Sequence, residues 1–180
     1  MSKDNSQSDI NADPGQHEVQ AEAILASGCF WGTEYYLQKL PGVLTTTCGY
    51  TGGSTPHPTY AQVCSKLTGH YEAVRVVYDP QLLSYESLLR VFFETHDPTQ
   101  RDGQGPDIGP QYRSAVFYKN EQQRVVVAEL KSQLIELGYD VVTQLLPATE
   151  FYAAEHEHQD YYLKTGGVPY CHAPRRLFER

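Results

Sequence analysis

Ala23-Ile24-Leu25-Ala26-Ser27-Gly28-Cys29-Phe30-Trp31-Gly32 passes from an apolar run into a cysteine set between glycines and two aromatics. The run, entered from Val19, predicts a buried strand to Ala26, and Thr33 to Leu40 predicts a helix stopped by Pro41-Gly42. Cys29 therefore falls at a helix N-terminus. A free thiol of pKa about 8.5 is only about 3 % thiolate at pH 7, and the thiolate is the nucleophile. Unpaired N–H groups and the helix dipole favour the anion, so the position predicts a reactive sulfur. Phe30 and Trp31, the latter the chain's only tryptophan, are suited to wall a small apolar pocket beside it. The glycines let backbone come close to a bound group.

Beyond this junction, Val43 to Tyr50 predicts a second strand and Thr59 to Val63 a short helical turn after a proline loop. Tyr71 to Tyr78 is the clearest strand, with Val74, Val76 and Tyr78 alternating onto one face and Asp79-Pro80 ending it. Ser84-x-Glu86 opens a helix over Leu88 to His96 with an apolar stripe. Asp97 to Gln111 is a long loop rich in Pro and Gly, and loops of that length in compact domains usually carry function. Ser114 to Tyr118 predicts a strand, Glu121 to Leu137 a helix closed by Gly138, and Val141 to Leu146 another strand. Glu155 to Lys164 predicts a helix, and a coil from Thr165 carries Cys171. The order of elements contains the split βαββαβ pattern. It predicts an α+β fold: a two-layer sandwich with a mixed sheet and a ferredoxin-like core.

At 180 residues, 40 % of them hydrophobic and 20 % charged, the chain suits one globular domain. Residues 1–20, polar and free of aromatics, predict a disordered tail before a single catalytic domain over 21–180. A net charge of −8 without a basic cluster argues against nucleic acid as a ligand. No apolar run reaches the roughly 18 residues of a membrane span and the N-terminus lacks a signal-peptide core, so a cytoplasmic protein is expected. The four cysteines, Cys29, Cys48, Cys64 and Cys171, are widely spaced with no zinc pattern, which leaves redox or nucleophilic chemistry open.

Glu72 shares a strand face with Val74 and Val76, so burial raises its pKa and keeps it a proton donor at neutral pH. Asp107, Tyr112 and Tyr60 lie where loops approach the Cys29 end of the sheet, and with Glu72 they supply donors for a polar oxygen. Cys171 in a Gly-bearing coil has the mobility a resolving thiol needs. His156 and His158, two apart, diverge on a helix and do not predict a metal pair. A cysteine hydrolase would need a histidine base at Cys29, for which His70 and His96 are the candidates. A redox sensor would need only the thiol.

Taken together, the motifs resemble the A-type peptide methionine sulfoxide reductases. They are Gly28-Cys29-Phe30-Trp31-Gly32, Gly49-Tyr50-Thr51-Gly52-Gly53, Pro58-Thr59-Tyr60, Thr68-Gly69-His70-Tyr71-Glu72-Ala73-Val74, His96-Asp97-Pro98-Thr99, Asp107-Ile108-Gly109-Pro110-Gln111-Tyr112-Arg113-Ser114 and His158-Gln159-Asp160-Tyr161-Tyr162. The resemblance implies reduction of the S epimer of methionine sulfoxide, with Cys29 as nucleophile, Glu72 as acid, and Tyr60 and Tyr112 on the oxygen. It also implies Asp107 as the loop aspartate, Phe30 and Trp31 around the methyl group, and Cys171 as the thiol that closes a disulfide. No bound cofactor is implied; thioredoxin, or dithiothreitol in vitro, is the expected reductant. Expected partners are thioredoxin, oxidised proteins and free methionine sulfoxide, with no nucleic acid or membrane, and a monomer is expected. Two departures stand out: Gly167-Val168-Pro169-Tyr170-Cys171 keeps only the Tyr-Cys of the family's Asn-Pro-x-Gly-Tyr-Cys. In addition, Arg101-Asp102-Gly103-Gln104 separates an Arg and a Gln that are usually adjacent.

Overall fold

The computed structural model describes residues 19–179, so the tail expected over 1–20 lies almost wholly outside the described residues. Strand β1 (Ala21–Ser27) buries alternate residues on both of its faces. It is therefore a central strand, and its short run is apolar throughout. Helix α1 (Phe30–Leu37) follows at once, then β2 (Val43–Thr51), the short α2 (Tyr60–Cys64) and β3 (Tyr71–Tyr78). Helix α3 (Tyr85–Glu94) begins where the Ser84 hydroxyl accepts from Ser87 N. A hairpin of two-residue strands, β4 (Gly103–Gln104) and β5 (Asp107–Ile108), leads to a 3-10 turn (Pro110–Tyr112) and β6 (Ser114–Tyr118). Helix α4 (Glu121–Glu136), β7 (Gln144–Pro147), β8 (Phe151–Ala153), a second 3-10 turn (His156–His158) and α5 (Tyr161–Thr165) complete the order.

The main sheet runs β7-β6-β1-β3-β2-β8. Its inner four strands, β6-β1-β3-β2, are antiparallel neighbours joined through α1 and α3, which is the split βαββαβ arrangement. Strand β7 adds in parallel to β6 after the α4 crossover, and β8 pairs antiparallel with β2 at the other edge, which makes the sheet mixed. The α+β expectation holds. Leu37, Leu88, Leu89, Phe92, Leu130 and Leu134 of the helices pack on Ala23, Leu25, Val74, Val76 and Val116 of one sheet face. Each such side chain contributes about 1.5–3 kcal/mol when fully buried. The opposite face carries a smaller cluster of Ile24, Ala26, Tyr71, Ala73, Ala115 and Phe117. Among the described residues no helix is long and apolar enough to cross a membrane.

The long loop over 97–111 is ordered: β4 and β5 fold it back on itself, and Gln104 fixes it by accepting from Asp97 N (3.0 Å) and donating to Asp97 O (3.1 Å). Two expectations need correction. The strand expected over 141–146 begins only at Gln144. The helix expected over 155–164 is broken, since Asp160 takes a left-handed conformation (φ 54°) between a 3-10 turn and α5. What stabilises that break is remote: Asp160 N donates to Glu34 Oε2 at 2.9 Å, and Gln159 brackets Cys48 by accepting from its N (2.8 Å) and donating to its O (2.9 Å).

Candidate active site

Cys29 caps α1 without a side-chain capping hydrogen bond, and its carbonyl accepts from Gly32 N (3.1 Å) and Thr33 N (3.3 Å). The tight turn needs Gly28 at φ 97°. The two flanking glycines also admit neighbours, but these belong to the chain itself. A Cβ on Gly28 would lie 2.4 Å from Gln104 Cβ, and one on Gly32 would lie 2.3 Å from His172 Nδ1.

Beneath this turn, β3 places Glu72, 1 % exposed, on the helix-facing side of the sheet as its alternation requires. Phe30 N donates to Glu72 Oε2 at 3.0 Å, which ties the carboxyl to the first turn of α1. Burial raises the Glu72 pKa to about 8 in spite of that hydrogen bond, with Asp107 and Cys171 adding to the rise. Glu72 is thus neutral at pH 7, as the strand pattern predicts.

Cys171 is 5 % exposed and already beside Cys29. The two sulfurs and a carboxylate oxygen of Asp107 all lie within 4.8 Å of one another. The swinging tail thiol read from the sequence is instead packed in place. Downstream of it, Arg175 N donates to Glu94 O (2.7 Å) and Leu177 N to Glu94 Oε1 (3.0 Å), with an Arg175–Asp97 ion pair alongside. The β4–β5 hairpin delivers Asp107 to the pair, and Tyr170 donates to Asp107 Oδ1 at 3.2 Å. Two sulfurs and one oxygen could hold a soft divalent cation, and no other such group of ligands converges among the described residues.

The charge distribution differs from the sequence expectation. The hydrogen bond with Cys171, burial and the nearby Glu72 push the Cys29 thiol far up; the Trp31 N–H at the helix end opposes them and is outweighed. Cys171 is pulled down by its hydrogen bonds with Cys29 and His172, against the cost of its burial.

Tyr60 and Tyr112 border the same space. Burial raises both phenols well above their usual range, with a hydrogen bond to Cys64 adding to the rise for Tyr60, so both are hydrogen-bond donors at neutral pH. Tyr60 is oriented by Glu155, whose Oε1 accepts from Tyr60 N (2.7 Å) while its Oε2 accepts from the Tyr50 hydroxyl (2.8 Å). Phe30 is 1 % exposed and tilted against Tyr50 and His158, so it backs the aromatic wall; the half-buried Trp31 stacks on Tyr161 with centroids 3.7 Å apart.

Three residues of this region, Glu155, Glu34 and His172, were not singled out from the sequence, and His158 was weighed there only as half of a metal pair. His158 sits against Phe30, Trp31 and Tyr60, and its Nδ1 accepts from Trp31 Nε1 at 3.3 Å. The signal available was the buried indole N–H, which must find an acceptor. Glu34 accepts from Thr46 (3.0 Å), the Cys48 thiol (3.3 Å) and Asp160 N (2.9 Å), which makes Cys48 a core thiol. The two histidines a hydrolase would need are committed elsewhere. His70 Nδ1 accepts from Gly53 N (3.1 Å) and its Nε2 meets Thr55 O (2.7 Å); His96 is bonded to Phe92 O (2.6 Å) and Ser114 (2.8 Å), and burial lowers its pKa to about 3.

A family model described as peptide methionine sulfoxide reductase matches residues 21–180. The chain is 51 % identical over 150 residues to the peptide methionine sulfoxide reductase MsrA of Thermus thermophilus, covering 83 % of this chain and 85 % of that one. Reduced Mxr1 from Saccharomyces cerevisiae superposes with a TM-score of 0.82 at 32 % identity, covering 93 % of this chain and 97 % of that one. Mxr1 in complex with Trx2 aligns at a TM-score of 0.60 and 25 % identity, covering 93 % and 96 %. By sequence over the whole described domain and by fold, this chain belongs to the peptide methionine sulfoxide reductase family, in its A type.

Proposed function

We propose that the chain reduces the S epimer of methionine sulfoxide, free or in proteins, by attack of Cys29 on the sulfoxide sulfur. The observation that carries this reading is a buried carboxyl tied by the Phe30 N–H at 3.0 Å to the first turn of the helix that Cys29 caps, with its pKa raised by burial. A sulfoxide concentrates negative charge on oxygen, and attack at sulfur succeeds only if that oxygen is protonated as its bond to sulfur breaks. Glu72 supplies the proton, and the hydroxyls of Tyr60 and Tyr112 hold the oxygen. Trp31, backed by Phe30 and Tyr161, receives the methyl group. Cys29 loses its own proton as its sulfur attacks, and this proton restores Glu72. Methionine leaves and Cys29 is left as the sulfenic acid, so the atoms balance: sulfoxide and thiol give thioether and sulfenic acid.

Cys171 then attacks the Cys29 sulfur, a disulfide forms and water leaves. Its packed position within 4.8 Å of Cys29 supports this order. Cys48, bonded to Glu34 in the core, is a poorer candidate. Thioredoxin is the proposed reductant, in keeping with the complex of Mxr1 with Trx2. Asp107, held by Tyr170 beside both sulfurs, steers the proton traffic there.

Turnover of each epimer, with dithiothreitol and separately with thioredoxin, tests this reading. The S epimer alone is consumed, Cys29→Ser is inactive, and Cys171→Ser loses the thioredoxin-driven rate while dithiothreitol still supports turnover. Full activity of Cys29→Ser, or consumption of the R epimer at the same rate, would overturn it.

A further inference from the structure

We propose that His172 is the general base and acid of the disulfide-forming step, taking the proton of Cys171 and returning it to the hydroxyl that leaves Cys29. This rests on the reading of Cys171 as the resolving thiol.

The imidazole is 4 % exposed, and its Nδ1 lies 3.0 Å from Cys171 Sγ. Its Nε2 lies 3.4 Å from Thr33 Oγ1. Thr33 can donate its own hydrogen to Cys29 O at 3.4 Å, and its oxygen also meets Ser27 Oγ at 2.8 Å. That network leaves the threonine oxygen free to accept from Nε2–H, which makes Nδ1 the unprotonated nitrogen facing the thiol. The ring reaches this place only because Gly32 has no side chain, since a Cβ there would come within 2.3 Å of Nδ1.

The chemistry of the cycle supplies the need. In the reduced enzyme the strongest influence favouring the Cys171 anion is the Cys29 thiol hydrogen, with His172 next among the favourable ones. Once Cys29 carries oxygen that thiol hydrogen is gone, and the donor and acceptor remaining at Cys171 is His172. Proton and electrons then balance: Nδ1 takes the Cys171 proton, and the sulfur electron pair forms the S–S bond as the S–O bond of Cys29 breaks. The departing hydroxyl leaves as water with the proton returned from Nδ1. Cys171 sulfur is oxidised and Cys29 sulfur reduced, so no outside reagent enters.

Cys171, His96, Asp97 and Arg175 line one pocket with the ring, and Cys29 and Asp107 come within 4.8 Å of the Cys171 sulfur. Of these, His96 is held neutral by burial.

The test is a single turnover with the S epimer and no reductant, following methionine release, loss of thiols and dimedone-trappable sulfenic acid in one sample. In His172→Asn, disulfide formation slows about 100-fold relative to methionine release and sulfenic acid accumulates, the low end of what a positioned base contributes. Its rate then climbs with pH towards the ordinary thiol range, whereas the wild-type rate is flat above neutrality. Thr33→Val, which leaves Nε2 without its acceptor, slows the same step, and Thr33→Ser restores it. Disulfide formation at the wild-type rate and pH dependence in both His172→Asn and Thr33→Val would overturn the proposal. Wild-type disulfide formation in Cys171→Ser would overturn the reading on which it rests, and is read independently of His172.

Discussion

Replacing Glu72 by Gln keeps the shape of the side chain and an acceptor for Phe30 N but removes the titrating proton. The folded carboxyl has a pKa of about 8 against an ordinary value of 4.5, so the folded state holds its proton more tightly than the unfolded chain does. Stability from this group is therefore complete below the unfolded value and is lost as pH rises from there through the folded one. At about 1.4 kcal/mol per pH unit, the loss amounts to about 4 kcal/mol between pH 5 and pH 8.5. Gln does not titrate, so it escapes that loss, and other groups cancel in the comparison. Urea unfolding of both proteins in the reduced state should show the stability of Glu72→Gln relative to wild type rising by that amount. Its turnover should fall about 100-fold or more because no proton reaches the sulfoxide oxygen. A stability difference that stays constant across the range would refute the buried neutral acid; unchanged turnover would refute its part in the reaction.

Other outcomes follow from the same geometry. Tyr60→Phe and Tyr112→Phe should each lower kcat/KM about tenfold, as loss of one hydrogen bond to a polar oxygen does, measured by steady-state methionine formation. Glu34→Ala leaves the Cys48 thiol, Thr46 and Asp160 N without their acceptor; chemical denaturation should show a loss of about 3 kcal/mol, and KM should rise as the segment carrying His158 and Tyr161 loosens. Trp31→Ala should raise KM for methionine sulfoxide with a smaller change in kcat, since it removes apolar surface and leaves the acid and thiols in place.

The sequence yielded strands best where neighbours in the chain settle the matter. Tyr71–Tyr78 and Ser114–Tyr118 match their expected limits because alternation and flanking turns are local signals. It failed where a distant residue decides. Nothing between 155 and 164 announces that Asp160 turns left-handed, because its backbone partner is Glu34, 126 positions away. Strands of two and three residues, β4, β5 and β8, are too short for periodicity to register. The residues carrying chemistry were legible because their types are unusual in place: a cysteine at a helix start, a glutamate on an apolar strand face. Their support was not. Glu155 and His158 fell in a stretch read only as a helix, and His172 in a coil read only for Cys171. The charge on the thiols was misjudged for the same reason, since the helix end acts on Cys29 alone while Cys171, Glu72 and burial act together against it.

The most direct test of the account is to map the enzyme after one equivalent of the S epimer and no reductant. One methionine should be released per chain, and peptide analysis should find a single Cys29–Cys171 disulfide with Cys48 and Cys64 still free thiols. Methionine release with Cys29 unmodified, or a disulfide joining Cys29 to Cys48 or Cys64, would contradict it.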